Sequence, residues 1–258
     1  MPSILFEIKN SIAFITLNRP EKFNSFNREM ALLLQDKLYE CESNKDVRCV
    51  YITGEGKAFC AGQDLAEVVD TNGPGMDKIL SEHFNPIISK IRNLEKPVIA
   101  AVNGVAAGAG ANIALCCDIV VASESTSFIQ AFSKIGLIPD SSGTFFLPRL
   151  IGFQKASAFM MLGDKVSATD AERMGMIYKV FADNIFNEES LKLADTLASM
   201  PTKALYFIKQ ALNKSLTQTL EQQLNTEDEL QQKAASTNDF KEGVQAFLKK
   251  RQPVFKGE

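Results

Sequence analysis

The chain has 258 residues, of which 45% are hydrophobic and 23% are charged, and its formal net charge is -3. This length favours one large domain, or one domain with a helical appendage, over two full domains. The acidic balance excludes a general electrostatic surface for nucleic acid, and no apolar run approaches the roughly 18 residues of a membrane span. We therefore expect a cytoplasmic protein that binds neither nucleic acid nor a membrane, and that meets any anionic ligand with a local positive cluster.

The cysteines and the single histidine disfavour two kinds of catalytic site. Five cysteines are scattered through mostly apolar stretches such as "VRCVYIT", so they are predicted to be reduced core residues. With His83 as the only histidine and no CxxC pair, the sequence lacks the usual ligand spacing of a zinc site. A Ser-His-acid arrangement would depend wholly on His83, which we interpret as an ordinary helix or surface residue. We predict no metal site.

The first half of the chain predicts strands alternating with helices. Two short alternating runs around Lys9 and Asn10 predict an antiparallel hairpin that ends before Pro20. A helix in "REMALLLQDKLYEC", a strand in "CVYITG", a helix around 76 to 93, a strand in "PVIAAVNG" and a helix-strand pair in "GANIALCCDIVVAS" follow. This alternation is typical of crossover units in a mainly parallel sheet.

After about residue 153 the pattern becomes helical. The segments "QKASAFMMLG", "ATDAERMGM", "EESLKLADTLASM", "KALYFIKQALNKS", "QTLEQQLNTEDELQQKAAS" and "DFKEGVQAFLKKR" all predict helices, and only "IYKVFA" alternates like a strand. The tail is thus predicted to form a helical layer on an α/β core. The segment "DTNGPGM", 70 to 76, predicts a mobile loop that borders a site.

Two glycine-containing turns each follow a core strand and open a helix. They are "GKAFCAGQDL", residues 56 to 65, and "NGVAAGAGANIAL", residues 103 to 115. Small residues let a ligand approach the backbone, and unpaired N-H groups at a helix start attract negative charge, so each turn suits half of an oxyanion hole. For either turn taken alone, tight packing of helix on sheet is the more common explanation. A dinucleotide fingerprint is disfavoured because position 113 is isoleucine rather than glycine.

Several blocks in order along nearly the whole chain carry a resemblance to a known family. They are "LNRPEKFNSFN", "GKAFCAGQDL", "KPVIAAVNGVAAGAGANIALCCDIVVAS", "FSKIGLIPDSSGT", "LPRLIG" and "AFLKKRQPVFKG". Together they resemble the crotonase, or enoyl-CoA hydratase/isomerase, superfamily, and within it the bacterial ring-1,2-epoxyphenylacetyl-CoA isomerases. The resemblance implies an α/β fold with a crotonase-type spiral core of ββα repeats and a C-terminal helical layer. Residues 1-195 would form the acyl-CoA-binding core, and 196-258 a helical oligomerisation region.

The resemblance also implies how coenzyme A would be held, as part of the substrate and with no permanently bound cofactor. The backbone N-H groups of Gln63 and Ala109 would bind the thioester oxygen. CoA contacts are expected at Lys22, Phe23, Ala61, Gln63, Asp64 and Leu65, and from a neighbouring subunit at Phe247 and Lys250. The family assembles as trimers and hexamers, so a homotrimer or hexamer is expected here. The "KKR" cluster near Lys250 would supply positive charge, although such a motif is also typical of a solvated helix end.

The chain departs from the hydratases of this family at two positions. Their paired glutamates correspond here to Asn112 and Phe132, which together with Phe84 are expected to line the acyl pocket. Asp140, in "GLIPDSSGT", falls where some family isomerases carry a single catalytic acid. A carboxylate among apolar side chains has a raised pKa and is a better base. Asp140 also suits the N-cap of a helix that begins near Ser141, and the two roles can coexist.

These residues predict an acyl-CoA isomerase whose preferred reaction converts 1,2-epoxyphenylacetyl-CoA to its oxepin in phenylacetate degradation. The alternatives are a Δ3,Δ2-enoyl-CoA isomerase, or a hydratase of fatty-acid or dehydroadipyl-CoA breakdown. A different class stays open, a non-catalytic acyl-CoA-binding subunit with a hydratase partner. Further aromatic and sulfur side chains either wall an aromatic-sized pocket or belong to the plain core, namely Phe128, Phe145, Phe146 and Met160.

Overall fold

The computed structural model describes all residues from 1 to 258. Its first two strands, β1 (Ile4–Lys9) and β2 (Ile12–Leu17), pair antiparallel with Ile4 opposite Leu17 and Lys9 opposite Ile12. Asn10 and Ser11 connect them with φ values of 51° and 61°, the left-handed pair that a two-residue hairpin turn needs. The predicted hairpin is therefore confirmed, although serine is an unusual residue at its second position.

The elements of the first half follow the predicted alternation. The helices are α1 (Arg28–Ser43), α2 (Leu65–Val69), α3 (Gly75–Lys78), α4 (Asn85–Asn93) and α5 (Ala109–Leu115). The strands are β3 (Cys49–Gly54), β4 (Ala58–Cys60), β5 (Val98–Val102), β6 (Val105–Ala107), β7 (Ile119–Ser123) and β8 (Ser127–Ile129). A π-helical turn, Ile79–Phe84, joins α3 to α4, so the helix predicted around 76 to 93 is continuous but changes its hydrogen-bond period.

The second half is mostly helical, as predicted. Its elements are α6 (Gly143–Ile151), α7 (Phe153–Leu162), β9 (Lys165–Ser167), α8 (Ala168–Arg173), β10 (Lys179–Phe181), α9 (Phe186–Ser199), α10 (Thr202–Ser215), α11 (Leu220–Ala235) and α12 (Asn238–Leu248). Short 3-10 turns occur at Pro20–Lys22 and Ala131–Ile135. None of the helices has the length and apolar character to cross a membrane.

Two sheets make up the core of the fold. The main sheet has the order β1-β2-β3-β5-β7-β10, and every neighbouring pair after the hairpin is parallel. A second sheet, in the order β4-β6-β8-β9, was not predicted because its strands have three residues each and two of them lie in the segments interpreted as turns. From β3 to β8 the chain repeatedly gives one strand to the main sheet, one to the second sheet and then a helical segment, which confirms the expected ββα repeat.

Both faces of the main sheet are covered. The larger core packs α1 and α4 on one face through side chains such as Leu34, Leu38 and Ile87. On the other face, Phe186 and Leu197 of α9 pack against sheet residues such as Tyr51. Burial on both faces explains why these parallel strands are continuous apolar runs rather than alternating ones. All five cysteines are buried free thiols, as predicted.

Helix α9 spans the predicted boundary between the core and the helical region. Residue 195 lies inside α9, which packs on the main sheet and therefore belongs to the core. The chain turns instead at Met200 and Pro201, before α10 begins. Helix α10 is held to the core by Lys209, 5% exposed, whose Nζ lies 2.8 Å from Asp118 Oδ2 and 2.7 Å from the Ile91 carbonyl oxygen.

Candidate active site

One mostly apolar cavity of about 330 Å³ gathers most of the predicted site residues. Its walls come from the ends of the second sheet and from the segments that follow. They comprise Lys22, Ser25, Ala61, Gly62, Gln63, Asp64, Leu65, Val68, Met76, Ile79, Phe84, Gly108, Ala109, Ala131, Phe132, Ile135, Leu137 and Asp140. Ligand sites are typically clefts of this kind, apolar with a few convergent polar groups.

The two glycine-containing turns meet at this cavity. Gly62 has a φ of 94°, and a Cβ at this residue would lie 3.0 Å from the Ala107 carbonyl oxygen and 3.3 Å from the Ala109 nitrogen. Gly108 has a φ of 53° and directly precedes α5. Glycine is therefore needed at 62 both for its backbone conformation and for the close approach of the second turn.

The backbone N-H groups of Gln63 and Ala109 are both free of secondary-structure bonds. Gln63 forms a parallel bridge with Phe26, in which the Gly62 carbonyl and the Asp64 N-H make the hydrogen bonds. The Gln63 N-H therefore faces away from Phe26. Ala109 is the first residue of α5, where N-H groups have no acceptor within the helix. Because the turns touch at Gly62 and Ala109, two donors border one cavity, as an oxyanion hole requires.

Tight packing, the alternative explanation of these turns, holds for a neighbouring glycine. A Cβ at Gly110 would lie 2.7 Å from Cys60 Sγ and would also meet the Cys60 carbonyl, so helix α5 sits directly on β4. The two explanations thus apply to different residues. Gly110 allows the helix to approach the sheet, while Gly62 brings the second turn beside the first.

Asp140 lines the cavity and is half-buried there. Its Oδ1 accepts a hydrogen bond from Ser141 Oγ at 2.8 Å. Burial raises the pKa of the Asp140 carboxyl, and the Ser141 hydrogen bond opposes part of that increase. The predicted N-cap role is wrong, because α6 begins at Gly143, its N-cap is Ser142, and no side chain caps its first N-H groups.

Asn112 was predicted to line the acyl pocket, but it lies outside the cavity wall. It is 1% exposed, and its Nδ2 donates to the Asp140 carbonyl oxygen at 2.8 Å. Its Oδ1 accepts from Gln130 Nε2 at 2.7 Å. Asn112 thus supports the backbone under Asp140 instead of contacting a ligand. Phe84 and Phe132, the other two predicted pocket residues, do line the cavity.

Asp64 is a second carboxylate at the cavity, but it is tied into an ion pair. Arg19 Nη2 lies 2.9 Å from Asp64 Oδ2, and the Ala66 N-H donates to Oδ1. Burial alone would raise the pKa of Asp64, but the hydrogen bonds from Arg19 and Ala66 and the charge of Arg19 outweigh it, so the pKa is lowered. Asp64 is accordingly a poor proton acceptor, which leaves Asp140 as the candidate base.

Three of the predicted coenzyme-binding residues lie away from the wall. Phe23 is exposed beside Lys22, in a left-handed conformation with a φ of 51°. Phe247 is 83% exposed on α12, and Lys250 follows that helix with a φ of 52°. None of the three lines the cavity. The expectation that the last two reach a neighbouring subunit stays a prediction.

The cavity also has walls that sequence reasoning missed. They are Ser25, Val68, Met76, Ile79, Ala131, Ile135 and Leu137, with Met76 at the end of the 70 to 76 segment predicted to border a site. Phe128 is a plain core residue, and Phe145, Phe146 and Met160 are not wall residues either. His83 is buried with its Nε2 3.1 Å from Arg28 Nη1, and it too lies outside the wall.

Comparisons with known proteins identify the family of the chain. Residues 7–258 match the family model described as enoyl-CoA hydratase/isomerase. The chain is 46% identical to 1,2-epoxyphenylacetyl-CoA isomerase of Escherichia coli K12, with 100% of both chains covered. The chain belongs to the enoyl-CoA hydratase/isomerase family. The match to a CoA-thioester isomerase agrees with the predicted class of enzyme.

Members with different activities share this fold. The chain is 34% identical to 2,3-dehydroadipyl-CoA hydratase of Escherichia coli K12, with 100% of both chains covered. An enoyl-CoA hydratase from Bacillus anthracis superposes with a TM-score of 0.92 and 32% identity, over 99% of this chain and 100% of that one. The crotonase-type fold is thereby confirmed. Because isomerase and hydratase share it, the reaction must be argued from the side chains of the site.

Proposed function

We propose that this enzyme isomerises an acyl-CoA thioester with a single base, Asp140, and an oxyanion hole formed by the Gln63 and Ala109 N-H groups. The observation that carries the proposal is the pairing of one half-buried carboxylate with two unpaired backbone donors at the same cavity. Neither position of the hydratase glutamates carries a carboxylate here, since Asn112 is buried beneath the Asp140 backbone and Phe132 is apolar.

The reaction begins when Asp140 removes a proton from the carbon next to the thioester carbonyl. The electron pair of the broken C-H bond moves onto the thioester oxygen, and the two N-H donors stabilise the resulting enolate. Each donor contributes on the order of 3 kcal/mol in other oxyanion holes. The protonated Asp140 then returns the proton to another carbon of the conjugated system. One base that exchanges a single proton is sufficient, so water need not be activated.

The preferred substrate is 1,2-epoxyphenylacetyl-CoA, whose product is the oxepin. For this substrate the bond between the two epoxide-bearing ring carbons also breaks, its electron pair joins the double bonds of the ring, and the oxygen stays bonded to both carbons of the resulting seven-membered ring, while Asp140 moves the proton as described above. The 46% identity with an isomerase of that name supports this choice. So do the two aromatic walls of the cavity, Phe84 and Phe132, which offer flat apolar surface to a ring. Coenzyme A would enter as part of the substrate, past Lys22 and Asp64, and no permanently bound cofactor takes part.

A second candidate is a Δ3,Δ2-enoyl-CoA isomerase, which needs the same base and the same donors. Hydration is less favoured, although the resemblance to 2,3-dehydroadipyl-CoA hydratase keeps linear acyl chains in consideration. A non-catalytic subunit that binds acyl-CoA beside a hydratase partner is the candidate of another class. It predicts coenzyme A binding without turnover.

Purified protein assayed against three thioesters separates these candidates. The panel consists of the ring epoxide, a 3-enoyl-CoA and a 2-enoyl-CoA, each followed by chromatography of the products. We expect turnover of the ring epoxide to the oxepin and little hydration of the 2-enoyl thioester. Rapid hydration would contradict the single-base proposal, and binding without any product would favour the non-catalytic subunit.

We also propose that the enzyme assembles as trimers or as paired trimers, with the helices after Pro201 as the oligomerisation region. Large apolar side chains are exposed in these helices, among them Phe247 at 83%, Leu220 at 77% and Leu248 at 74%. Exposed apolar surface of this kind is typical of protein contacts. Light scattering on the purified protein should give the mass of three or six chains, and a monomer would contradict the proposal. A cytoplasmic location suits an enzyme of CoA thioesters.

A further inference from the structure

The two serines that follow Asp140 have a strained backbone. Ser141 has a φ of 49° and Ser142 a φ of 66°, so two consecutive side-chain-bearing residues lie in the left-handed region. Such conformations cost on the order of 1–3 kcal/mol each, and they concentrate at functional sites. Glycine would adopt them at lower cost. Serine at these positions keeps a hydroxyl that glycine would lack.

The two hydroxyls make different contacts, and only one touches the candidate base. Ser141 is 2% exposed, and its Oγ donates to Asp140 Oδ1 at 2.8 Å. Ser142 Oγ donates to the Ser141 carbonyl oxygen instead. The chain therefore offers a matched pair of serines, equal in backbone conformation and different in their relation to the carboxylate.

The backbone under Asp140 is fixed without help from the Ser141 hydroxyl. The Asp140 carbonyl oxygen accepts from Asn112 Nδ2 and from the Gly143 N-H, both at 2.8 Å. Asn112 is in turn held by Gln130, which is fully buried. A Cβ at Gly143 would collide with the Asn112 carboxamide, so the loop and this support fit closely. The Ser141 hydroxyl is thus free to act on the carboxylate alone.

We propose that Ser141 is a positioning residue that holds Oδ1 of Asp140, so that Oδ2 is the oxygen that takes and returns the proton. The inference rests on the proposed function. In the forward step a substrate C-H bond breaks, its electron pair enters the enolate, and an O-H bond forms at Oδ2. In the return step that O-H bond breaks and the proton joins a different carbon. The Ser141 proton stays on its own oxygen throughout.

The hydroxyl also favours the ionised form of the base in an apolar site. Burial raises the pKa of Asp140, and the bond from Ser141 favours the charged carboxylate. None of the other charged groups around the site pairs with Asp140. Asp64 is paired with Arg19, and Arg149 of α6 stacks on Phe145. Lys22 in the cavity wall and Lys134 on the 3-10 turn form no ion pair with the carboxylate. Ser141 is therefore the side chain that bonds to the carboxylate directly.

The test compares Ser141→Ala and Ser141→Gly with the control Ser142→Ala. Glycine relieves the backbone strain, so Ser141→Gly should fold at least as well as the wild type. We expect both Ser141 variants to shift the acid limb of the kcat/KM profile to higher pH. On that limb, kcat/KM should fall roughly 10-fold, as expected for loss of a hydrogen bond to a charged group. The control should keep the wild-type profile.

Three outcomes separate this inference from the proposed function. If the wild type turns over and Asp140→Asn does not, an unshifted profile in Ser141→Gly overturns the role of Ser141 and leaves the proposed function intact. If the wild type isomerises no thioester, the proposed function fails. The pH titration of the Asp140 carboxyl carbon, followed by NMR, then decides the inference. A higher midpoint pH in Ser141→Gly than in the wild type supports the hydrogen bond from Ser141 to the carboxylate, and an unchanged midpoint overturns it.

Discussion

Replacing Asp140 with asparagine removes the proton acceptor and preserves the contacts around it. Asparagine has the same shape, its Oδ1 can still accept from Ser141, and the backbone bonds of residue 140 to Asn112 and Gly143 are unaffected. The nearest alternative carboxylate in the wall, Asp64, is held by Arg19 at 2.9 Å and cannot easily substitute. The full contribution of the base should therefore be lost.

That contribution is roughly 100- to 10,000-fold in rate for a positioned base, which corresponds to about 2.7–5.4 kcal/mol in the activation free energy. Initial rates with the ring epoxide and with a 3-enoyl-CoA give kcat/KM for wild type and variant. Calorimetric titration with coenzyme A and circular dichroism check that binding and folding are unchanged. A variant that keeps more than about a tenth of the activity would refute the assignment, because general-base losses are far larger.

Three further predictions concern the fold and pH. Gly62→Ala should lower the free energy of unfolding in urea by about 1–3 kcal/mol and should also reduce kcat/KM, because the added Cβ would press on the turn that carries Ala109. An unchanged kcat/KM would argue against the oxyanion hole. Lys209→Met should lower the unfolding free energy by about 3 kcal/mol and leave kcat unchanged, because it breaks a buried ion pair with Asp118. Asp118 keeps its other partner, Arg92. A variant as stable as the wild type would contradict this prediction. Burial raises the pKa of Asp140 in the folded state, so the protonated carboxyl is favoured by folding. The unfolding free energy of the wild type should therefore fall relative to that of Asp140→Asn as the pH rises from about 4 through the raised pKa. Above that pKa the difference between the two unfolding free energies should stay constant. A melting-temperature difference that does not vary with pH would contradict the burial of this carboxyl.

The main sheet and its helices could be predicted from the sequence because their signals are strong. The hairpin around Lys9, the strand that ends at Gly54 and the helix that begins at Arg28 all appear where periodicity indicates them. The second sheet could not be predicted in this way, since Ala58–Cys60 and Val105–Ala107 are too short to show a period. Their pairing depends on tertiary contacts that only the folded chain makes.

The segments that supply backbone donors to the site could be predicted from the sequence. The direction in which individual side chains turn could not. The glycine turns and an acid among apolar residues marked the segments of the site, while the resemblance to the family singled out Gln63, Ala109 and Asp140. The orientation of Asn112 did not follow, because a pocket residue and a buried support have the same helical position and differ only in where the side chain turns. The N-cap expectation for Asp140 failed because Ser141 and Ser142 adopt left-handed conformations, which delay the start of α6 to Gly143.

The central claim is that one carboxylate and two main-chain donors act on the same thioester. A crystal structure with an unreactive acyl-CoA analogue tests it most directly. We predict the thioester oxygen at about 2.7–3.1 Å from both the Gln63 and Ala109 nitrogens, with Asp140 Oδ2 at about 3–3.5 Å from the carbon that loses its proton. A thioester oxygen bound elsewhere, or an Asp140 side chain turned to solvent and away from the acyl carbons, would contradict the account.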